Sequence, residues 1–267
     1  MDTVETTTEK LLAHKEGAIG WITFNNPARH NAVSMSMWES VPRVLAQFEK
    51  DPEIHVVIVR GAGDKAFISG ADISEFKEKR ASQEAADAYN AAGDHAHRVL
   101  QEFPKPTIAM VRGYCIGGGC AVAIDCDLRI AAEDSVYAIP AGRLGLGYRY
   151  EGIRRLIDLV GPSFASEIFF TARKFDAQEA RAMGLINRLV PTAELESYTR
   201  NYAAMIADNA PLTLAAVKRS VLERHKDPQV RDLKRCQDMV DACFASADYI
   251  EGRNAFMEKR RPVFKGR

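Results

Sequence analysis

Residues 111–127, VRGYCIGGGCAVAIDCD, run from an apolar stretch through Gly113 into three consecutive glycines, Gly117, Gly118 and Gly119, and on into the helical pattern CAVAI. A glycine-rich turn entering a helix leaves backbone N–H groups unpaired and aimed at one point. That suits an anion, or the oxyanion that develops in carbonyl chemistry. The same small residues also suit a helix packed close against a strand, so both readings stand at this point. The run is not a Walker A loop, because no Lys-Ser/Thr follows, and its spacing misses G-x-G-x-x-G. A second element, AFISGADISEF at 66–76, carries Ser69-Gly70 ahead of Asp72 and Ser74. Gly70 permits a tight turn from which the next N–H points outward, or it simply marks a loop and helix cap. Cys115 and Cys120 flank the triplet, but no neighbouring histidine suggests a base that would activate a thiol. His95 and His97 sit two apart on an expected helix, a spacing that does not share a face, and no metal site is expected.

These elements need a scaffold, and the first half of the chain supplies alternating strand and helix signals. Gly17–Phe24, Ile54–Val59, Thr107–Val111 and Leu128–Ala131 read as strands. Ser34–Lys50 reads as a helix capped by Ser34 or Ser36, with Met37, Val41, Val44, Leu45 and Phe48 on one face. Ala81–Phe103 reads as another, ended by Pro104 and Pro106. Such alternation implies βαβ units. From Gly152 onward the helical segments 163–171, 176–183, 193–208, 211–225 and 230–260 follow one another, with one apolar run at Leu185–Val190. The expected organisation is an α/β core over 1–191 and a helical region over 192–267 that builds subunit contacts.

The 36 Lys+Arg balance 36 Asp+Glu across 267 residues, so no global basic field gathers nucleic acid. The first twenty residues lack a basic region followed by an apolar one, and no run approaches eighteen apolar residues. Five cysteines, an odd number, fit buried thiols in a reducing compartment. A cytoplasmic protein without membrane or nucleic-acid partners is expected.

Together, AFISGADISEF and VRGYCIGGGCA resemble the crotonase, or enoyl-CoA hydratase/isomerase, family. The resemblance extends over nearly the whole chain, through PARHNAVS at 27–34, FDAQEARAMGLINRLVP at 175–191 and EGRNAFMEKRRPVF at 251–264. It implies an α/β ββα spiral core with a helical C-terminal region, and a homotrimer or dimer of trimers. The implied substrate is an acyl-CoA, with coenzyme A as part of the substrate rather than a bound cofactor. The implied oxyanion donors are the N–H groups of Ala71 and Gly118. The segment Ala71, Asp72, Ile73 and Ser74 matches the stretch that lies along CoA. Arg29 matches a basic position near the CoA phosphates, and Phe256 and Lys259 match C-terminal positions that help close the nucleotide end.

The chain departs from the family's hydratase pattern at two points. Hydratases carry glutamates after the glycine triplet and in a later P-E motif, where paired carboxylates hold and move water. Ala121 and Ala141 stand at those positions here. Tyr148 instead matches a tyrosine of the methylmalonyl-CoA decarboxylase branch, placed to bond a carboxylate or help protonate an enolate, or else to pack at a helix start. That branch carries a histidine where Ala71 stands. Arg149 occupies an aspartate position of some isomerases and a dehalogenase. A cation there cannot serve as their base or nucleophile, though it can attract a substrate carboxylate. Glu151 is the carboxylate left nearby, as a displaced base or a first-turn residue favoured by the helix dipole. Decarboxylase-type lyase chemistry is expected. Hydratase or isomerase activity with displaced groups, and acyl-CoA binding without efficient turnover, are the alternatives.

Overall fold

A computed structural model describes residues 2–72 and 83–267. The expected helix start at 81–82, and Ile73 and Ser74, lie outside the described residues. The elements in chain order are β1 (Asp2–Val4), β2 (Leu11–Glu16), β3 (Ile19–Phe24), α1 (Met35–Lys50), β4 (Val56–Gly61), β5 (Ala66–Ile68) and α2 (Gln83–Glu102). Then come β6 (Thr107–Val111), β7 (Tyr114–Ile116), α3 (Gly118–Asp125), β8 (Leu128–Ala132), β9 (Val136–Ala138), α4 (Ala141–Leu144) and α5 (Tyr150–Thr171). The chain continues through β10 (Phe175–Asp176), α6 (Ala177–Ala182), β11 (Arg188–Val190), α7 (Leu195–Ala207), α8 (Pro211–Arg224), α9 (Leu233–Ala245) and α10 (Ala247–Glu258).

Two sheets form among the described residues. The larger runs β1-β2-β3-β4-β6-β8-β11 and the smaller β10-β9-β7-β5. The pairs β4/β5, β6/β7 and β8/β9 each give their first strand to the larger sheet and their second to the smaller, and a helix follows. This repeat is a ββα spiral. Pairing is parallel from β3 through β4, β6 and β8 to β11. Parallel strands need crossovers, which the intervening helices provide.

The short apolar runs are strands because both of their faces are buried. In β4, Val57 and Val59 point into the core between the sheets and helices α1 and α2, while Val56 and Ile58 point to the other face. There α7 covers them with Leu195 and Ala203. In α1, Ser34 is the N-cap, and Met37, Val41, Val44, Leu45 and Phe48 are buried as the period predicted.

Two helical segments and the smaller sheet differ from expectation. The 163–171 segment is the end of α5, which begins at Tyr150 and is interrupted at Gly161, where φ is 77°. The 230–260 segment is two helices, because Ser246 turns extended and its side chain caps α10 by accepting from Tyr249 N–H. The smaller sheet's strands, two or three residues each, fall below the length at which alternation is readable.

Candidate active site

The site is assembled where β5 and β7 run out and α3 begins. After β5 the chain passes Ser69 into Gly70, whose φ of 108° is open to glycine and not to ordinary residues. Val33 N–H donates to Gly70 O at 2.8 Å and Asp72 N–H donates to Val33 O at 2.9 Å. These bonds hold Gly70–Asp72 as a strand beside Val33. Since successive backbone groups in a strand alternate sides, the Ala71 N–H turns to the opposite edge.

At α3, Gly119 sits so close to β5 that a Cβ there would lie 2.1 Å from Ile68 O. Only glycine permits this approach, and it brings Gly118 beside Gly70. A Cβ on Gly118 would lie 3.8 Å from Gly70 Cα and 3.9 Å from its carbonyl carbon. The two expected donors are therefore on touching segments. Gly118 is the first residue of α3, so its N–H has no intrahelical partner and shares the positive end of the helix. The close helix–strand contact expected of the triplet is present, and it fixes where the Gly118 N–H lies.

No acidic residue stands in the first turn of α3 or of α4. Ala121 lies in that turn of α3, and Ala141 opens α4 and is buried. Tyr148 is half-buried before α5, with its ring edge-on to Phe169 at 4.9 Å between centroids. Burial, with Cys120 of α3 as a further electrostatic neighbour, pushes its phenol up to about 12. Tyr148 therefore stays a protonated donor through neutral pH. Glu151 is exposed in the first turn of α5, a position the helix's positive end favours for a carboxylate.

Burial pushes the Cys115 thiol up, reinforced by Cys120, and pushes Cys126 up to about 12. These thiols remain protonated and are poor nucleophiles. Cys120 Sγ donates to Cys115 O at 2.8 Å.

Arg29 and Asp72 are brought together. The Arg29 guanidinium, 55 % exposed, pairs at 3.2 Å with the buried Asp72 carboxylate, next to Ala71. Phe256 and Lys259 lie elsewhere. Phe256, 83 % exposed, belongs to α10 and lines an apolar groove with Val217 and Val221 of α8 and Phe244 of α9. Lys259 closes α10 in the left-handed conformation, with φ 55°. None of the described residues lining this groove belongs to either glycine-rich element.

Sequence reasoning missed a charged network around α3. Asp125, at the end of α3, is 4 % exposed. It accepts from His97 Nδ1 at 2.5 Å and Gln101 Nε2 at 2.6 Å, both on α2, and lies 3.8 Å from Arg155 Nε on α5. Arg155 also donates to Ile124 O at 3.2 Å. Burial alone would lower the His97 pKa, but the Asp125 charge outweighs it and the net shift is upward. One signal was present, an acid closing the apolar run CAVAI, which buries only with partners. Further along the same two helices, Arg149 forms an ion pair with Asp94 of α2.

The fold is thus a parallel-rich ββα spiral in which the Gly70–Asp72 segment lies beside the first residue of α3. A profile of the enoyl-CoA hydratase/isomerase family matches residues 14–267, and the chain belongs to that family. It is 33 % identical to the short-chain-enoyl-CoA hydratase of Clostridium acetobutylicum over 94 % of this chain and 95 % of that one. It is also 33 % identical to the carnitinyl-CoA dehydratase of Salmonella enteritidis, over 97 % and 99 %. The crystal structure of an enoyl-CoA hydratase/carnithine racemase from Magnetospirillum magneticum superposes with a TM-score of 0.90 at 35 % identity, covering 98 % of this chain and 97 % of that one. Among the described residues no helix is long and apolar enough to cross a membrane.

Proposed function

We propose that this crotonase-family enzyme acts on an acyl-CoA thioester through an enolate held by the N–H groups of Ala71 and Gly118, and that its reaction is of the decarboxylase type. The observation that carries this reading is the contact of Gly118, at the mouth of α3, with Gly70, which precedes Ala71, together with first turns of α3 and α4 that hold no carboxylate. A methyl group at Ala121 or Ala141 neither orients water nor accepts its proton. Decarboxylation needs neither function. The bond from the α-carbon to the carboxylate breaks, CO2 leaves, and the electron pair moves into the enolate. Two preorganised donors stabilise that charge, and losing one typically raises the barrier by about 3 kcal/mol. The α-carbon then takes a proton, for which the neutral Tyr148 hydroxyl is the nearby candidate.

The backbone of Ala71–Ser74 and the Arg29 guanidinium are read as the CoA contacts, with Phe256 and Lys259 closing the nucleotide end from the C-terminal helices of a neighbouring copy. Coenzyme A is carried by the substrate. The apolar groove between α8, α9 and α10 supports assembly into a homotrimer or dimer of trimers, since an open apolar face of that kind is normally covered.

The hydratase and dehydratase relatives favour one second reading, hydration with Glu151 as a displaced base. Purified protein offered methylmalonyl-CoA and crotonyl-CoA separates the two. CO2 release that is lost in Tyr148→Phe is the expected outcome. Rapid hydration of crotonyl-CoA, abolished in Glu151→Gln, would replace the decarboxylase reading. Tight binding of both thioesters without turnover would mark a binding protein.

A further inference from the structure

We propose that the Asp94–Arg149 ion pair is a selectivity gate, in which Arg149 exchanges Asp94 for the free carboxylate of a dicarboxylic acyl-CoA. The inference rests on the acyl-CoA reading of the site and adds to it the substrate class and the residues that choose it.

The argument begins with direction. α3 is flanked by α2 and α5. At the C-terminal end of α3, Asp125 meets His97 of α2 and Arg155 of α5, and Arg155 also holds Ile124 O. At the N-terminal end of α3, Cys120 is the electrostatic neighbour of Tyr148, which immediately precedes Arg149. α5 therefore runs parallel to α3. Passing from Arg155 back to Arg149 moves along α5 by about 9 Å, at 1.5 Å per residue. That movement leads away from Asp125 and toward the end that carries Gly118. Asp94, one turn before His97 on α2, follows the same direction. The ion pair thus bridges α2 and α5 at the end of α3 where the thioester carbonyl is held.

The pair is built to exchange. Arg149 is 66 % exposed and Asp94 48 % exposed, so the bond is solvated and contributes little to stability. By contrast, the Asp125 network is buried and fixes the same two helices without it. Opening the bridge therefore costs the fold little. A guanidinium matches a carboxylate in planar geometry, and an incoming acyl carboxylate would meet it in the geometry Asp94 now supplies. Asp94 in turn repels a second carboxylate until Arg149 is released to it. An acyl chain ending in methyl gains nothing from the exchange.

Binding of succinyl-CoA and butyryl-CoA, measured by calorimetry at low salt, tests the gate without requiring turnover. The two acyl chains have the same length and differ in a terminal carboxylate. The wild type should prefer succinyl-CoA roughly fivefold, in keeping with an exposed charge pair, and the preference should fade at high salt. Arg149→Gln should abolish the preference while butyryl-CoA binding stays unchanged. Asp94→Asn should act oppositely and tighten succinyl-CoA severalfold, because the internal competitor is gone. Arg149→Gln weakening both ligands alike, or Asp94→Asn leaving succinyl-CoA binding unchanged, overturns the gate while the acyl-CoA site stands. A wild type that binds neither thioester overturns the acyl-CoA reading, and the gate falls with it.

Discussion

Replacing Gly119 by alanine is the most direct probe of how the site is set. The added Cβ would lie 2.1 Å from Ile68 O and 2.9 Å from Ile68 C. The first distance is more than 1 Å short of the 3.4 Å at which ordinary contact begins. The atoms in the way are backbone atoms of β5, paired to β7, so no side-chain rotation relieves the overlap. α3 must therefore withdraw by about 1 Å and carry Gly118 N–H with it. Misplacement on that scale costs roughly 100-fold in rate, equivalent to about 2.7 kcal/mol of barrier, and overpacking should remove about 1–3 kcal/mol of stability. Gly118→Ala is the control, since its Cβ meets nothing nearer than 3.8 Å and its φ is not positive. Its unfolding free energy should stay within about 0.5 kcal/mol of wild type. Urea denaturation gives the stabilities, and kcat on the thioester that the wild type turns over gives the rates. A Gly119→Ala enzyme with wild-type kcat and stability would refute the idea that this contact positions the donor.

Three further outcomes are expected. Arg29→Ala should raise KM for the acyl-CoA about fivefold with little change in kcat, and high salt should bring the wild type toward the variant; an unchanged KM removes Arg29 from the CoA contacts. The raised pKa of His97 gives its pair with Asp125 a definite sign. The stabilisation is full below the unfolded value of about 6.5 and is lost as pH rises through the higher folded value. Urea titrations from pH 6 to 9 should show that loss in the wild type and not in His97→Gln. Phe244, 62 % exposed in the apolar groove, tests assembly. Phe244→Glu should shift the protein to monomer in light scattering, and an unchanged mass would remove the groove from the interface.

The central strands of the larger sheet were legible because they are buried on both faces. VVIV in β4, IAMV in β6 and IAA in β8 are apolar without interruption, as suits short segments buried on both faces. Helix α1 was legible because Met37, Val41, Val44, Leu45 and Phe48 repeat at helical spacing over about three turns. The smaller sheet was not, since its strands are defined by pairing with distant segments rather than by pattern. The break between α9 and α10 was hidden for a related reason. Ser246 is an ordinary helix residue in composition, and only its extended backbone makes it a cap.

The division runs through the site itself. The order of residues determined which backbone groups were available: a triplet of glycines before a helix, a lone glycine after a strand, and alanines at 121 and 141. It also determined that Gly119 carries no side chain, without which the approach to Ile68 is impossible. Tertiary structure decided that Gly70 and Gly118 touch, that Asp72 is paired with Arg29, and that Asp125 is clamped between two helices. The physical reason is the range of the forces. Backbone preference and hydrophobic period act over a few neighbouring residues and are written locally. A close approach, a buried ion pair or a helix direction is settled only when segments far apart in the chain are packed against one another.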